Sequence, residues 1–130
     1  MDTLDPRDSP LPGMRPPFNA WNFRADAGWS AQFDIVGYHV EATDGSMGKV
    51  SEVSHALDES YLVVDTGPWI FGKKVVIPAG TVTHIDHTDR KVYVDRTKAQ
   101  VKSSPEFDPD LYTEAAYRDK VGGYYDETYR

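Results

Sequence analysis

Short apolar runs separated by turn residues recur about every ten positions between residues 33 and 95, and no other pattern in the sequence limits the fold as strongly. The runs are rich in β-branched and aromatic residues or alternate apolar with polar side chains, which is typical of β-strands. The predicted strands are residues 37–42, 48–53, 61–66, 75–78, 82–85 and 92–94. Six short strands predict an all-β fold, a small barrel or sandwich, and closure into a barrel would remove exposed strand edges.

The third and fourth predicted strands enclose an apolar turn. Residues 61–64 form an uninterrupted apolar run, which predicts a strand buried on both faces. The turn that follows Gly67 holds Trp69 and Phe71, where polar residues are usual. If these two rings are exposed, they are candidate contacts for a partner. Alternatively, an aromatic segment nearer the N-terminus covers them.

That aromatic segment belongs to a predicted N-terminal arm, residues 1–32. Residues 1–17 contain five of the nine prolines, and proline disfavours both helices and strand ladders. The rest of the arm includes Trp21, Phe23 and Trp29, whose rings should be buried somewhere. They are candidate partner or oligomer contacts: the arm packs against its own domain, or it exchanges between copies to form a homo-oligomer.

The remaining chain divides into a barrel domain, residues 33–107, and an acidic C-terminal segment, residues 108–130. A helix is predicted over residues 109–121, ending at Gly122 and Gly123 because glycine commonly follows the last helical turn.

Composition excludes several classes of function. The absence of cysteine excludes disulfides, thiol nucleophiles and cysteine-ligated metals. The net charge is −7, and the N-terminal, middle and C-terminal parts of the chain are each net negative. The lack of a net positive segment disfavours direct binding to nucleic acid. No apolar run approaches the roughly 18 residues of a membrane span, and no secretory signal is visible, so a cytoplasmic location is expected.

A few polar residues could supply chemistry, but a structural role is favoured for each. His84, Asp86 and His87 could bind zinc or iron, although His87 would point away from the other two on a regular strand. Asp65 could act in acid–base catalysis, but it more often bonds to backbone amides of the following turn. No catalytic, cofactor-binding or metal-binding residue is therefore predicted, and the chain is expected not to be an enzyme.

The order and spacing of these elements resemble the PRC-barrel family over residues 33–107. The resemblance lies in Ile35-Val36-Gly37, the Asp44-Gly45 turn before Gly48-Lys49-Val50, the strand at 61–66, Val75-Val76-Ile77-Pro78 and Lys102-Ser103-Ser104-Pro105. It implies a six-stranded barrel, similar to the cytoplasmic domain of the photosynthetic reaction centre H subunit and the C-terminal domain of the ribosome maturation factor RimM. Those relatives use the barrel to bind proteins. The chain is most similar to free-standing bacterial members.

Two classes of function are expected, with a third more distant. The first is a non-enzymatic protein-interaction or scaffold module that binds a protein partner or associates with itself. The second is an accessory factor for the ribosome or RNA processing that acts through a ribosomal protein. The third is a metal-binding sensor or an enzyme. Fold-level analogy alone does not decide among them.

Overall fold

The computed structural model describes residues 18–56, 58–67, 74–105, 110 and 114–129. Within these ranges the elements in chain order are β1 (His39–Ala42), β2 (Gly45–Ser54), β3 (Tyr61–Asp65), β4 (Lys74–Pro78), a 3-10 turn (Ala79–Thr81), β5 (Val82–Asp86), β6 (Lys91–Val94), α1 (Lys98–Lys102) and α2 (Ala115–Thr128). All six predicted strands form, and β2 begins earlier than predicted, at Gly45.

The six strands form one mixed sheet in the order β4-β3-β2-β1-β6-β5. β1 and β6 are parallel, and all other neighbouring strands are antiparallel. The two edge strands, β4 and β5, are consecutive in the chain and are joined only by the 3-10 turn Ala79–Thr81. The chain therefore passes from one edge of the sheet to the other through this turn, termed the β4–β5 corner.

Strand β3 is buried on both faces, as its apolar run predicted. Leu62, Val63 and Val64 are each 0% exposed. Leu62 and Val64 belong to the main core cluster, whereas Val63 joins a second cluster with Val121 and Tyr125 of α2. The division follows from the alternation of side chains along a strand. The sheet thus has a main core on one face and α2 against part of the other.

Gly48 interrupts the regular pairing of the central strands. Val40 pairs with Gly48 but Glu41 pairs with Ser46, which leaves Met47 as the extra residue of a bulge. Gly48 has a φ of +139°, and a β-carbon on it would lie 2.1 Å from the Asp65 carbonyl oxygen. The expectation of a bulge or a close backbone approach at Gly48 is confirmed on both counts.

The helix α2 continues beyond the predicted end at Gly122 and Gly123, so that prediction is wrong. Val121 and Tyr125 are both 0% exposed and lie four residues apart, on either side of the glycines. Burying one helix face against the sheet outweighs the cost of glycine, about 1 kcal/mol per residue. No helix in the described ranges is long and apolar enough to cross a membrane.

Candidate interaction surfaces

Residues 18–29 of the N-terminal arm are docked along the β4–β5 corner of the same chain. The Gly80 amide donates to the Ala20 carbonyl at 2.8 Å, and the Ile85 amide donates to the Ala27 carbonyl at 2.7 Å. These bonds satisfy backbone groups of the corner and of an edge strand that would otherwise need other partners. Residues 18–29 therefore pack against their own domain in this chain, and exchange of the arm between copies stays a prediction.

Trp21 joins the arm to both β3 and α2. Its ring meets Tyr61 edge to face, with centroids 6.3 Å apart, and its carbonyl accepts the Ser60 amide at 2.9 Å. The indole lies directly over Gly122, because a β-carbon on that glycine would be 2.9 Å from the indole nitrogen. Trp21 therefore fills the space that the missing side chain of Gly122 leaves.

The other two arm residues predicted as partner contacts also lie against their own domain. Phe23 and Trp29 stack with ring centroids 4.6 Å apart, and Trp29 lies 5.6 Å from the His55 ring. Both are half-buried and pack against the main core. Trp69 and Phe71 lie outside the described residues. A role in partner binding stays a prediction for all five residues.

Asp95 connects the arm, the sheet and α2 in what is termed the Asp95 junction (Arg24, Asp95, Arg96 and Tyr129). Arg24 donates to Asp95 Oδ2 at 2.8 Å, the Arg96 Nε atom lies 3.5 Å from Oδ1, and the Tyr129 hydroxyl donates to Oδ1. Burial alone would lower the pKa of Arg24, but the hydrogen bond and charge of Asp95 outweigh it and raise that pKa. The guanidinium thus remains charged beside Asp95.

Tyr129, near the C-terminus, is held by its ring as well as by its hydroxyl. The Arg96 guanidinium carbon lies 3.7 Å from the ring centroid, and the Phe18 ring stacks on Tyr129 at 4.4 Å. Burial, followed by the hydrogen bond to Asp95, raises the pKa of the Tyr129 hydroxyl. The N-terminal arm and the C-terminal segment are therefore in direct contact at the Tyr129 ring.

We expect Tyr129→Phe to lower the free energy of unfolding by about 1.5 kcal/mol at neutral pH, because the ring stays but a hydrogen bond to a charged group is lost. The folded-state pKa of Tyr129 is raised above the ordinary value of 10.0. The stabilisation that the Tyr129 hydroxyl contributes is therefore complete below pH 10, the pKa of the unfolded chain. It is lost as the pH rises from there through the higher folded-state pKa, because the unfolded chain ionises first.

Urea unfolding across this pH range should show the stability difference between the wild type and Tyr129→Phe narrowing at high pH. An Asp95→Asn background provides the control, because the tyrosine substitution should cost less once the carboxylate is gone. A stability difference that is unaffected by pH and by Asp95→Asn would contradict this role for the hydroxyl.

Among the residues that the structure describes, Phe33 and Val36 are the exposed large hydrophobics, each 48% exposed. They flank Ile35, which is 1% exposed and anchors the segment in the main core. The Val36 amide donates to the Asp34 side chain at 3.0 Å, which fixes the turn between them. Phe33 and Val36, together with the His87 ring that supports Phe33, are termed the Phe33 patch.

His87 supports this patch through both ring nitrogens. Nε2 lies 3.0 Å from the Gly28 carbonyl, which can only accept, so Nε2 carries a proton. In the neutral ring Nδ1 then accepts from the Tyr38 hydroxyl at 3.0 Å. The Phe33 ring stacks on the imidazole, with centroids 4.2 Å apart. His87 is thus fixed as a platform under an exposed aromatic ring.

Asp86 and His84, which with His87 were the candidate metal ligands, contact different neighbours. Asp86 Oδ1 accepts the Thr88 and Asp89 amides at 2.9 and 3.0 Å, and the bond from Asp89, more than that from Thr88, lowers the Asp86 pKa. The His84 ring stacks on Tyr93. Within the described ranges, no three His, Cys, Asp or Glu side chains are grouped so that they could hold a metal ion.

Asp65 has the structural role that was favoured for it. Its Oδ1 atom accepts the Gly67 amide at 2.9 Å, which closes the turn after β3. The side chain is exposed rather than enclosed in the apolar core. The prediction that Asp65 bonds to the backbone of the following turn is confirmed.

Charged side chains and one histidine form a continuous row across the solvent-facing side of all six strands. Strand by strand from β4 to β5, cross-strand neighbours in this row are Lys74, Asp65, Lys49, His39, Lys91 and Asp86. None of them is buried. This charged belt begins and ends with pairs of opposite charge, which stabilise neighbouring strands.

Together these features define a class: a small mixed β-sheet domain, covered at one corner by its own arm, whose polar side chains cap turns, form ion pairs and support rings. The family model of the PRC-barrel domain matches residues 31–101, which is more than half of the chain, and the chain belongs to that family. PRC-barrel domains are small, generally non-catalytic modules that mediate protein interactions. The chain has no match among curated proteins.

The Phe33 patch and the Asp95 junction were not predicted from the sequence. A local signal existed for the patch, since Phe33 and Val36 bracket Ile35 just before the first strand. Nothing local indicates which of the three faces the core, or that His87 lies under Phe33. The junction joins residues as far apart as Arg24 and Tyr129, so only the assembled fold brings it together.

Proposed function

We propose that this chain is a non-enzymatic interaction or scaffold module that binds a protein partner through the Phe33 patch. The supporting observation is that Phe33 and Val36, each 48% exposed, project from a segment anchored by buried Ile35. Aromatic side chains, phenylalanine among them, are enriched in the centre of protein interfaces, where a polar rim surrounds them. Gln32 and Asp34, which are exposed in the same segment, supply polar groups next to Phe33 and Val36.

The fixed backbone around the patch favours binding. Ile35 is buried, the Asp34 side chain holds the Val36 amide, and His87 is hydrogen-bonded on both sides under the Phe33 ring. A partner would therefore order few side chains on this surface when it binds, which reduces the entropic cost of association.

The test is a photo-crosslinking amino acid placed at position 33, with position 116 as the matched control. Ala116 is also exposed but lies on α2 rather than in the patch. We expect a discrete crosslinked product from position 33 and none from position 116, in cells and at physiological salt. A product of twice the chain mass identifies a second copy as the partner, and another mass identifies a different protein. Equal crosslinking from both positions, or none from position 33, would contradict the proposal.

Substituting both exposed residues, Phe33→Ser with Val36→Ser, should abolish the interaction while changing the free energy of unfolding by no more than about 1 kcal/mol. The reason is that about half of the surface of Phe33 and of Val36 is already exposed to water in the folded chain. A crosslinker at a neighbouring exposed position, 32, reports the interaction, and urea unfolding reports stability. Retained crosslinking in the double variant would contradict the assignment of the patch.

Several finer statements belong to the same proposal. The β4–β5 corner, which joins the two edge strands, supports closure of the sheet into a barrel. The boundaries of the barrel domain, 33–107, and a cytoplasmic location are retained as predictions. Self-association would use the patch rather than an exchanged arm, because residues 18–29 contact their own domain. No observation on the described surface favours the ribosome-associated alternative.

A further inference from the structure

The Phe33 ring has one covered face and one open face. The His87 imidazole stacks on it with ring centroids 4.2 Å apart, and 48% of the residue is still exposed. The exposed part is therefore the side of the ring that faces away from His87. An open aromatic face attracts cations, and the planar guanidinium of arginine can also stack on it. The outer face of Phe33 therefore suits an arginine side chain from a partner.

The carboxylate of Asp34 lies next to this ring in the chain. Asp34 is exposed, and its Oδ1 atom accepts the Val36 amide at 3.0 Å. This hydrogen bond holds the carboxylate in place within the turn. Its Oδ2 atom has no hydrogen bond or ion pair to any residue that the structure describes. A guanidinium on the open face of Phe33 can therefore pair with Oδ2.

Arg90 is an arginine without an internal partner at the border of the same patch. Asp86 pairs with Lys91, so His87 and Arg90 are neighbours at the end of the hairpin between β5 and β6. The Arg90 side chain is exposed and forms no hydrogen bond or ion pair within the described ranges. Its φ of +56° is more typical of glycine or asparagine. An arginine held in this conformation, without an internal partner, indicates a contact outside its own chain.

The charges around the patch favour a second copy of the chain as the partner. Asp34 and Asp89 are balanced by Arg90 and Lys91, although the whole chain has a net charge of −7. Two copies that meet at this neutral region avoid much of the repulsion that their net charges cause elsewhere. In a two-fold interface every contact occurs twice, so one acidic and one basic group per copy form two ion pairs.

We infer that two copies of this chain associate through their Phe33 patches about a two-fold axis. Arg90 of each copy lies on the open face of Phe33 in the other copy and pairs with Asp34 there. The inference rests on the proposed function as an interaction module and names the partner as a second copy.

Charge reversal tests this pairing in the full-length chain. Sedimentation equilibrium should show reversible dimers, with a Kd above about 1 µM because the patch is small. Asp34→Arg and Arg90→Asp should each weaken association by at least about tenfold, because each variant places like charges opposite one another in both pairs. An equimolar mixture of the two variants should associate again, because they present opposite charges to each other. No recovery in the mixture would overturn the inference.

Two further variants separate the pairing from local structure and from overall charge. Asp34→Asn keeps an oxygen that can accept the Val36 amide but removes the charge, so it should also weaken association. Lys120→Glu reverses an exposed charge on α2 and should change the Kd by less than about twofold. Wild-type association by Asp34→Asn, or equal losses in Lys120→Glu and the patch variants, would overturn the inference. Urea unfolding of each variant confirms that the chain is folded.

The inference and the proposed function fail in different ways. A chain that stays monomeric at about 1 mM, but gives a crosslinked product of another mass from position 33, overturns the inference and leaves the interaction module intact. Dimers that form without any crosslink from position 33 use another surface, and that result contradicts both proposals.

Discussion

Replacing Gly80 by alanine is expected to detach the N-terminal arm and to lower the free energy of unfolding by about 3 kcal/mol, at the upper end of what overpacking costs. A β-carbon at this position would lie 2.0 Å from the Asn19 carbonyl oxygen and 3.0 Å from the Phe18 ring. The obstruction is largely backbone, so no change of side-chain rotamer relieves it. The hydrogen bond from the Gly80 amide to the Ala20 carbonyl would be lost together with the close approach.

Trypsin provides a direct measurement of arm release, because Arg24 lies in the docked segment and donates to both the Gly80 carbonyl and Asp95. Cleavage after Arg24 should be slow in the wild type and fast in Gly80→Ala. Gly123→Ala is the matched control, since its β-carbon would meet nothing and alanine favours a helix by up to about 1 kcal/mol. If Gly80→Ala is cleaved and unfolded no more readily than Gly123→Ala, the arm is not held at this corner.

The substitution Gly48→Ala is expected to have an effect at least as large, about 3–5 kcal/mol, because two costs combine. The first is the φ of +139°, which alanine adopts only with strain. The second is the approach of 2.1 Å between the new β-carbon and the Asp65 carbonyl oxygen in the neighbouring strand. Relief would require β2 and β3 to separate in the middle of the sheet.

Gly45 separates the two costs, because it has the same φ of +139° but its β-carbon would come no closer than 3.9 Å, to the δ-carbon of Lys98. Gly45→Ala should therefore show the backbone strain alone. Urea unfolding should place Gly48→Ala below Gly45→Ala by about 2 kcal/mol or more. Equal stabilities for the two variants would mean that the close approach to β3 contributes nothing.

Local patterns in the sequence predicted the strands and several of their details. Alternation and apolar runs depend only on nearby residues, and they located all six strands, the burial of β3 on both faces and the close approach at Gly48. The Asp65 turn was predictable for the same reason, since donor and acceptor are two residues apart. The family could be recognised because these local features occur in a fixed order.

Local patterns failed where distant residues decide the outcome. Glycines normally end helices, but α2 continues through Gly122 and Gly123 because Val121 and Tyr125 are buried on one face and Trp21 covers Gly122. The parallel pairing of β1 with β6 joins residues 39 and 91, which no short-range signal connects. The predicted partner contacts Trp21, Phe23 and Trp29 are half-buried against their own chain, a result that the intramolecular alternative allowed but could not establish.

By itself, the sequence determined which segments are strands, which turns need glycine or aspartate and which family the chain belongs to, because these depend on backbone preferences over a few residues. Only the tertiary structure decided which aromatic rings are covered and which stay in water. Phe33 and Trp29 are both aromatic residues just before the first strand, four positions apart in the sequence. Nevertheless, Trp29 stacks on Phe23 against the core, while Phe33 stacks on His87 and remains 48% exposed. The physical reason is that burial depends on the position of distant surfaces, and the fold of the sheet sets those positions.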